Sequence, residues 1–179
     1  MPGAASPAPF DIPPTWSNGP LVLYHGTLTA HAVRIQALGV DPLKGRVGTD
    51  FGPGFYTTTL ERQAKSWAWL TAAASTVGGA GGSAGAVVRL EVDRDALARL
   101  NSIGFIRGDY DAEDFWSLVF HCRGGNLGHG RPGAVYYDVA YGPVASFWMQ
   151  RNAMNGADQI SFHSSACTPI LVVTGVSPV

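Results

Sequence analysis

Three separated segments of this chain carry the side chains best suited to chemistry. Tyr24-His25-Gly26-Thr27 sets an imidazole at the end of an apolar run. The glycine after it can leave a bare backbone amide toward a ligand. Asp50-Phe51-Gly52-Pro53-Gly54-Phe55-Tyr56-Thr57-Thr58 turns tightly into a strand, letting a planar group approach the backbone, with the Tyr56 ring just beyond. Asp158-Gln159-Ile160-Ser161-Phe162-His163 alternates polar and apolar positions, so Gln159 and Asp158 face opposite sides of a strand. Each segment also has a plain structural reading: a satisfied core histidine, a hairpin turn, an amphipathic strand.

Other candidates carry less. Cys122 and Cys167 form neither a disulfide framework nor a zinc-ligand spacing, so both read as buried thiols and no metal is expected. The run from Gly78 to Gly85 matches a phosphate-binding loop in composition only, lacks its Gly-Lys-Ser/Thr ending, and reads as a flexible connector. Asp138, among Tyr136, Tyr137 and Tyr141, is either a buried structural acceptor or part of a substrate site. The acidic stretch Asp109, Asp111, Glu113 and Asp114 reads as a solvated helix start.

Composition bounds what these residues can belong to. The 179 residues suit one domain, and 46% hydrophobic with 14% charged residues excludes a disordered chain. Twelve Lys and Arg against thirteen Asp and Glu give a net charge of −1, which weighs against binding nucleic acid through charge alone. No apolar run is long enough to span a bilayer, and the N-terminus lacks a signal-peptide pattern. A cytoplasmic protein is expected, or one delivered into a target cell without a cleavable signal.

The elements that must position the candidates follow from periodicity. Residues 1–20, with Pro2, Pro7, Pro9, Pro13, Pro14 and Pro20, form an extended lead-in, and 21–179 form one domain. Strands are predicted at Leu21–His25, Phe55–Thr58, Val87–Val92, Val135–Ala140, Gln159–His163 and Ile170–Thr174. Helices are predicted at Thr29–Leu38, stopped by Gly39, from Leu60 to about Ser75 with Thr59 as cap, at Arg94–Leu100 and at Phe115–Cys122. The second helix carries an apolar stripe of Leu60, Ala64, Trp67, Leu70 and Ala74, with Glu61 and Lys65 paired on its other face. Many short strands, few helices and no regular alternation of the two predict an α+β fold.

Taken together, the segments resemble ADP-ribosyltransferases of the diphtheria-toxin and poly(ADP-ribose) polymerase type, which carry a His–Tyr–Glu signature. The similarity is greatest to small bacterial ADP-ribosyltransferase-like domains of unassigned substrate. In those, strands and turns like those starting at Tyr24, Asp50, Tyr137 and Gln159 follow one another in this order. The resemblance implies two central sheets that split to form a cleft for NAD. It assigns catalysis to His25, Tyr56 and Gln159, and NAD binding to His25, Gly26, Thr27, Gly54, Phe55, Tyr56 and Trp67. His25 is expected to bond a ribose hydroxyl, Gly26 the nicotinamide carboxamide, and Tyr56 to stack on the nicotinamide. Trp67, eleven positions later, either covers the opposite ring face or packs in the core.

The implied activity is NAD-dependent mono-ADP-ribosyl transfer to a protein or nucleic-acid acceptor, with nicotinamide released. A non-catalytic NAD- or ADP-ribose-binding module and an NAD glycohydrolase are the alternatives. Gln159 departs from the family's usual Glu: an amide oxygen accepts a 2′-hydroxyl bond more weakly than a carboxylate and cannot act as a base. Ala64 departs from a usual hydroxyl. The paired Gln or Glu of arginine-directed enzymes is absent, which weighs against an arginine acceptor. Such proteins are often bacterial toxins, effectors or defence proteins, so an antitoxin or immunity partner is expected, and no membrane.

Overall fold

In residues 85–92, Ala86, Val88, Leu90 and Val92 fall on one side of an alternating run and build the middle strand of a sheet. The structure is a computed structural model that describes residues 19–77, 83–106 and 112–179. The lead-in up to residue 18, the glycine run at 78–82, and Asp109 and Asp111 lie outside them. The strands are β1 (Leu21–Leu28), β2 (Phe55–Thr57), β3 (Gly85–Val92), β4 (Ser102–Gly104), β5 (Val139–Gly142), β6 (Ala145–Phe147), β7 (Asn152–Ala153), β8 (Gln159–Phe162) and β9 (Leu171–Pro178). The helices are α1 (Thr29–Leu38), α2 (Glu61–Val77), α3 (Arg94–Leu97) and α4 (Glu113–Arg123).

The first sheet runs β1-β3-β9, all antiparallel; the second runs β2-β8-β5-β4, with β4 and β5 parallel. A two-stranded ribbon, β6-β7, stands apart. A mixed α+β architecture follows, as the element pattern predicts. One apolar core fills the space between the two sheets: Leu23, Val88, Leu90 and Val92 of the first meet Phe55, Val139 and Phe162 of the second. A second core lies behind the second sheet, where Ala140 meets Phe51, Phe105 and the α4 residues Phe115, Trp116 and Val119. The second sheet is therefore buried on both faces.

Several predicted bounds shift. β1 continues through Gly26 to Leu28, because Gly26 keeps its ladder place opposite Val87. The predicted strand at Val135–Ala140 begins only at Val139; a 3-10 turn at Pro132–Ala134 occupies the segment before it. The helix predicted at Arg94–Leu100 ends at Leu97, and β9 extends to Pro178, four residues past the predicted end.

The largest correction concerns α2. Its buried face is Ala64 (2% exposed) and Ala68 (0%), packed on Val87 and Tyr24. Trp67, Trp69 and Leu70 are 55%, 62% and 53% exposed, so of the predicted apolar stripe Ala64 packs on the sheet while Trp67 and Leu70 turn outward. Small side chains face the sheet because the helix comes very close to it: a Cβ on Gly26 would stand 2.0 Å from the Ala64 carbonyl oxygen. Large residues are excluded from that interface and turn outward. Trp67 therefore has no core role.

The helix start is also held differently. The Leu60 N–H donates to Thr58 Oγ1 at 3.1 Å, and the Asp158 carboxylate accepts from the Thr58 hydroxyl, the Thr59 hydroxyl and the Thr59 N–H. Gln63 adds two bonds to the Asp158 backbone, at 2.7 and 3.1 Å. Thr59 is thus a donor to Asp158, not the helix cap. The β2–α2 corner is fastened to the residue just before Gln159.

Candidate functional site

One backbone bridge joins β1 to the residue just past β2. Tyr24 and Thr58 exchange backbone hydrogen bonds, both at 2.9 Å, and this bridge links the two sheets. Because the Tyr24 N–H and C=O point at β2, parity along the strand turns those of Gly26 to the same side, away from β3. Beyond the bridge the strands part, and neither group of Gly26 bonds to a described backbone group. Gly26 is buried, and its amide and carbonyl form an adjacent donor and acceptor where β1 leaves β2. The glycine is required by the α2 contact as well as by any ligand.

His25 sits at this parting. Its Nδ1 lies 2.7 Å from the Tyr56 carbonyl oxygen, and its ring lies against Phe55 with centroids 4.4 Å apart. A carbonyl only accepts, so Nδ1 carries the hydrogen and Nε2 is left as an acceptor. Burial lowers the imidazole's pKa below its ordinary value and outweighs the Tyr56 bond, which raises it. His25 is therefore neutral at pH 7, with a lone pair to offer.

Tyr56 points to the other face of β2. Its hydroxyl accepts from the Phe51 N–H at 2.9 Å and donates to the Gly52 carbonyl at 2.7 Å, with Thr49 Oγ1 at 3.0 Å. Burial holds the phenol well above its ordinary pKa. The hydroxyl thus closes the 49–52 turn, and the half-buried ring packs against the second core. Gly54 is packed by protein: a Cβ there would meet His163 Nδ1 at 2.6 Å and the Phe162 carbonyl at 2.7 Å. Gly52 adopts φ +78°. Turn conformation and close packing, rather than ligand space, account for these two glycines.

Gln159 is 7% exposed and lies on the same strand face as Tyr56, through the pairing of Tyr56 with Ser161. Its Nε2 donates to Asp50 Oδ2 at 2.6 Å and to the Pro143 carbonyl at 2.9 Å. Asp50, 3% exposed, also accepts from Arg123 Nε and from the Ala145 N–H, both at 2.8 Å. Sequence reasoning names Asp50 only as the start of a motif and does not reach Arg123 at all. No spacing links residues 50, 123 and 159, so nothing short of the fold pairs them.

The remaining expectations divide. Thr27 is buried, its hydroxyl 3.5 Å from His31 Nδ1, two residues past His25 and on the same face. The Phe55 ring belongs to the inter-sheet core, so only its backbone borders the parting. Asp138 is structural: Oδ2 accepts from the Asn101 N–H, and its carbonyl from the His163 N–H and Cys167. Glu113 and Asp114 do start α4, and Glu113 pairs with Arg151. Burial raises both thiols, Cys122 to about 12, so neither is a nucleophile at neutral pH.

Behind Tyr56, two more histidines are locked neutral. His129 donates from Nε2 to the Phe51 carbonyl at 2.8 Å and accepts the Tyr137 N–H at Nδ1, which only the neutral ring allows. His163 donates from Nδ1 to the Pro53 carbonyl, with Ser161 Oγ 2.8 Å from Nε2; burial lowers its pKa to about 4. Surface hollows lie elsewhere, one along Lys65, Trp69, Leu70 and Val179 and one along Arg62, Met154 and Gly156, and neither is lined by His25, Tyr56 or Gln159.

Among the described residues, no group of three His, Cys, Asp or Glu could hold a metal, and no helix is long and apolar enough to cross a membrane. Fold and site thus define an α+β domain whose two sheets meet at one bridge and part beside a neutral histidine. Residues 21–150, from β1 through His25, Asp50, Tyr56 and Arg123, match the model of a family described as a protein of unknown function, DUF3990, and the chain belongs to it. No curated protein matches the chain.

Proposed function

We propose that the chain is an NAD-dependent mono-ADP-ribosyltransferase that passes ADP-ribose from NAD to a protein or nucleic-acid acceptor. The supporting observation is the parting of β1 from β2 at Gly26. There the Gly26 N–H and C=O, which bond to no described residue, stand side by side, complementary to the C=O and NH₂ of a carboxamide. Next to them His25 offers Nε2 to a ribose hydroxyl, and the Tyr56 ring stands across β2 from it.

In the reaction the bond between nicotinamide N1 and ribose C1′ breaks, and its electron pair leaves on the ring nitrogen. The acceptor's nucleophilic atom bonds to C1′ and loses its proton. Holding both ends of the scissile bond in place is the protein's main contribution. Gln159 accepts the 2′-hydroxyl through Oε1 without being a base, so the acceptor supplies its own or is acidic enough to need none. This also favours transfer of a single unit over polymer growth. Asp138 and the arginine-directed acid pair play no part.

The test incubates the protein with labelled NAD and a whole-cell lysate, then treats portions with nuclease or protease. Nicotinamide release together with label removed by one of these treatments supports transfer and names the acceptor class. Release with no labelled macromolecule would indicate a glycohydrolase. A thermal shift with NAD and no release would indicate a binding module, a reading favoured by the missing carboxylate at 159. No binding at millimolar NAD would end the assignment. A bacterial toxin, effector or defence role, with an antitoxin partner, goes with the transferase reading.

A further inference from the structure

Gln159 is held by an ion pair, its carboxylate buried and its guanidinium half-buried, that has no place in the reaction as described above. We propose that Asp50 and Arg123 are positioning residues that fix the Gln159 amide with Oε1 turned toward the ribose, and that Asp50 is the reason position 159 holds an amide rather than a carboxylate. The inference rests on the transferase reading for the identity of what Oε1 meets. It stands on geometry of its own for the rest.

Asp50 Oδ2 and the Pro143 carbonyl only accept, and both lie within hydrogen-bond distance of the same Gln159 atom, at 2.6 and 2.9 Å. That atom must be the NH₂, with both its hydrogens used, so the orientation of the amide is set. Oε1 takes no hydrogen bond from a described residue and is the free end. Asp50 can do this only as a carboxylate held in place. Arg123 supplies the charge through Nε at 2.8 Å and through Nη2, and the Ala145 N–H fills the remaining position on Oδ2. Asp50 is reached from α4, β6 and β8 at once, so its side chain cannot turn aside.

A glutamate at 159 would set a second carboxylate about 2.6 Å from the first, where the two could not both stay ionised. Gln159→Glu therefore traps a proton, and its stability should fall behind wild type as pH rises above the ordinary glutamate range of roughly 4.3. A melting-temperature deficit growing by about 5–10 °C between pH 4.5 and 8 is expected. Asp50→Asn/Gln159→Glu, in which an amide again faces a carboxylate, should lose that pH-dependent deficit.

In nicotinamide release, Asp50→Asn frees the Gln159 amide to turn its nitrogen outward. This should lower kcat roughly tenfold or more while KM for NAD stays within about twofold. Asp50→Asn/Gln159→Glu should release nicotinamide at least about tenfold faster than Gln159→Glu at pH 8. A Gln159→Glu melting curve parallel to wild type across pH would overturn the proposal, as would an unchanged kcat in Asp50→Asn. If wild type releases no nicotinamide, the transferase reading fails, and the melting series still decides whether Asp50 selects the amide. Should Gln159→Glu fold only below pH 6, that is itself the expected result.

Discussion

His25 Nδ1 and the Tyr56 carbonyl oxygen lie 2.7 Å apart, one bond joining β1 to β2 just past their single backbone bridge. The contact decides the histidine's tautomer, and burial keeps it neutral. Protonation would turn Nε2 from an acceptor into a donor. Nicotinamide release should therefore have an acid limb with an apparent pKa below 6.5. His25→Ala should lower kcat/KM by roughly 10²-fold across the neutral range. A pH–rate profile for both proteins checks this, and a limb above 6.5 would contradict the assigned environment.

Three histidines also set how stability responds to acid. His25, His129 and His163 all have folded pKa values below the unfolded 6.5, His163 at about 4. Such groups stay neutral in the fold but take protons in the unfolded chain. Their effect is absent above pH 6.5 and grows as pH falls toward each folded pKa. His163 alone should cost roughly 3 kcal/mol by pH 4. Urea unfolding between pH 7 and 4 should show this loss, and His163→Gln should flatten part of it.

Tyr56→Phe removes the hydroxyl that closes the 49–52 turn and keeps the ring. The Phe51 N–H loses its acceptor and the Gly52 carbonyl loses a donor. A destabilisation of about 1–3 kcal/mol is expected in chemical denaturation. If Tyr56 stacks on NAD as proposed, affinity for NAD should change far less in Tyr56→Phe than in Tyr56→Ala, which also removes the ring. Equal losses in the two variants would mean that the turn, not the ring, supports binding.

Gly26→Ala should be among the most damaging small substitutions in the chain. The new Cβ would meet backbone, the Ala64 carbonyl oxygen at 2.0 Å, and backbone cannot rotate away. Either β1 or α2 must shift, at a cost of about 3 kcal/mol or more. A melting temperature close to that of wild type would show that α2 can move away from β1 at little cost.

Trp67→Ala separates packing from binding. With Trp67 55% exposed, stability should change by no more than about 0.5 kcal/mol. If its ring covers NAD, affinity should fall by about 3- to 10-fold, the worth of one aromatic contact. Isothermal titration beside a thermal melt reads both, and unchanged affinity would remove Trp67 from the site.

The α+β class and the presence of most elements were legible in the sequence, because alternation and helical spacing are local properties. Thr29–Leu38 matches α1 in both bounds, while His25, Tyr56 and Gln159 are singled out only through the resemblance of their segments to a known family. What spacing could not reveal is distance between strands. The face that α2 buries depends on how near the sheet lies, and Gly26 brings it so near that alanines face inward and tryptophans outward. Gly52 and Gly54 looked like room for a ligand, yet a backbone turn and His163 account for them. Asp50, Arg123 and Gln159 come from a loop, a helix end and a strand far apart in the chain. Only when those three meet does it follow that the amide at 159 needs an acceptor beneath it, since a hydrogen bond is decided by direction and distance and neither is written in one dimension.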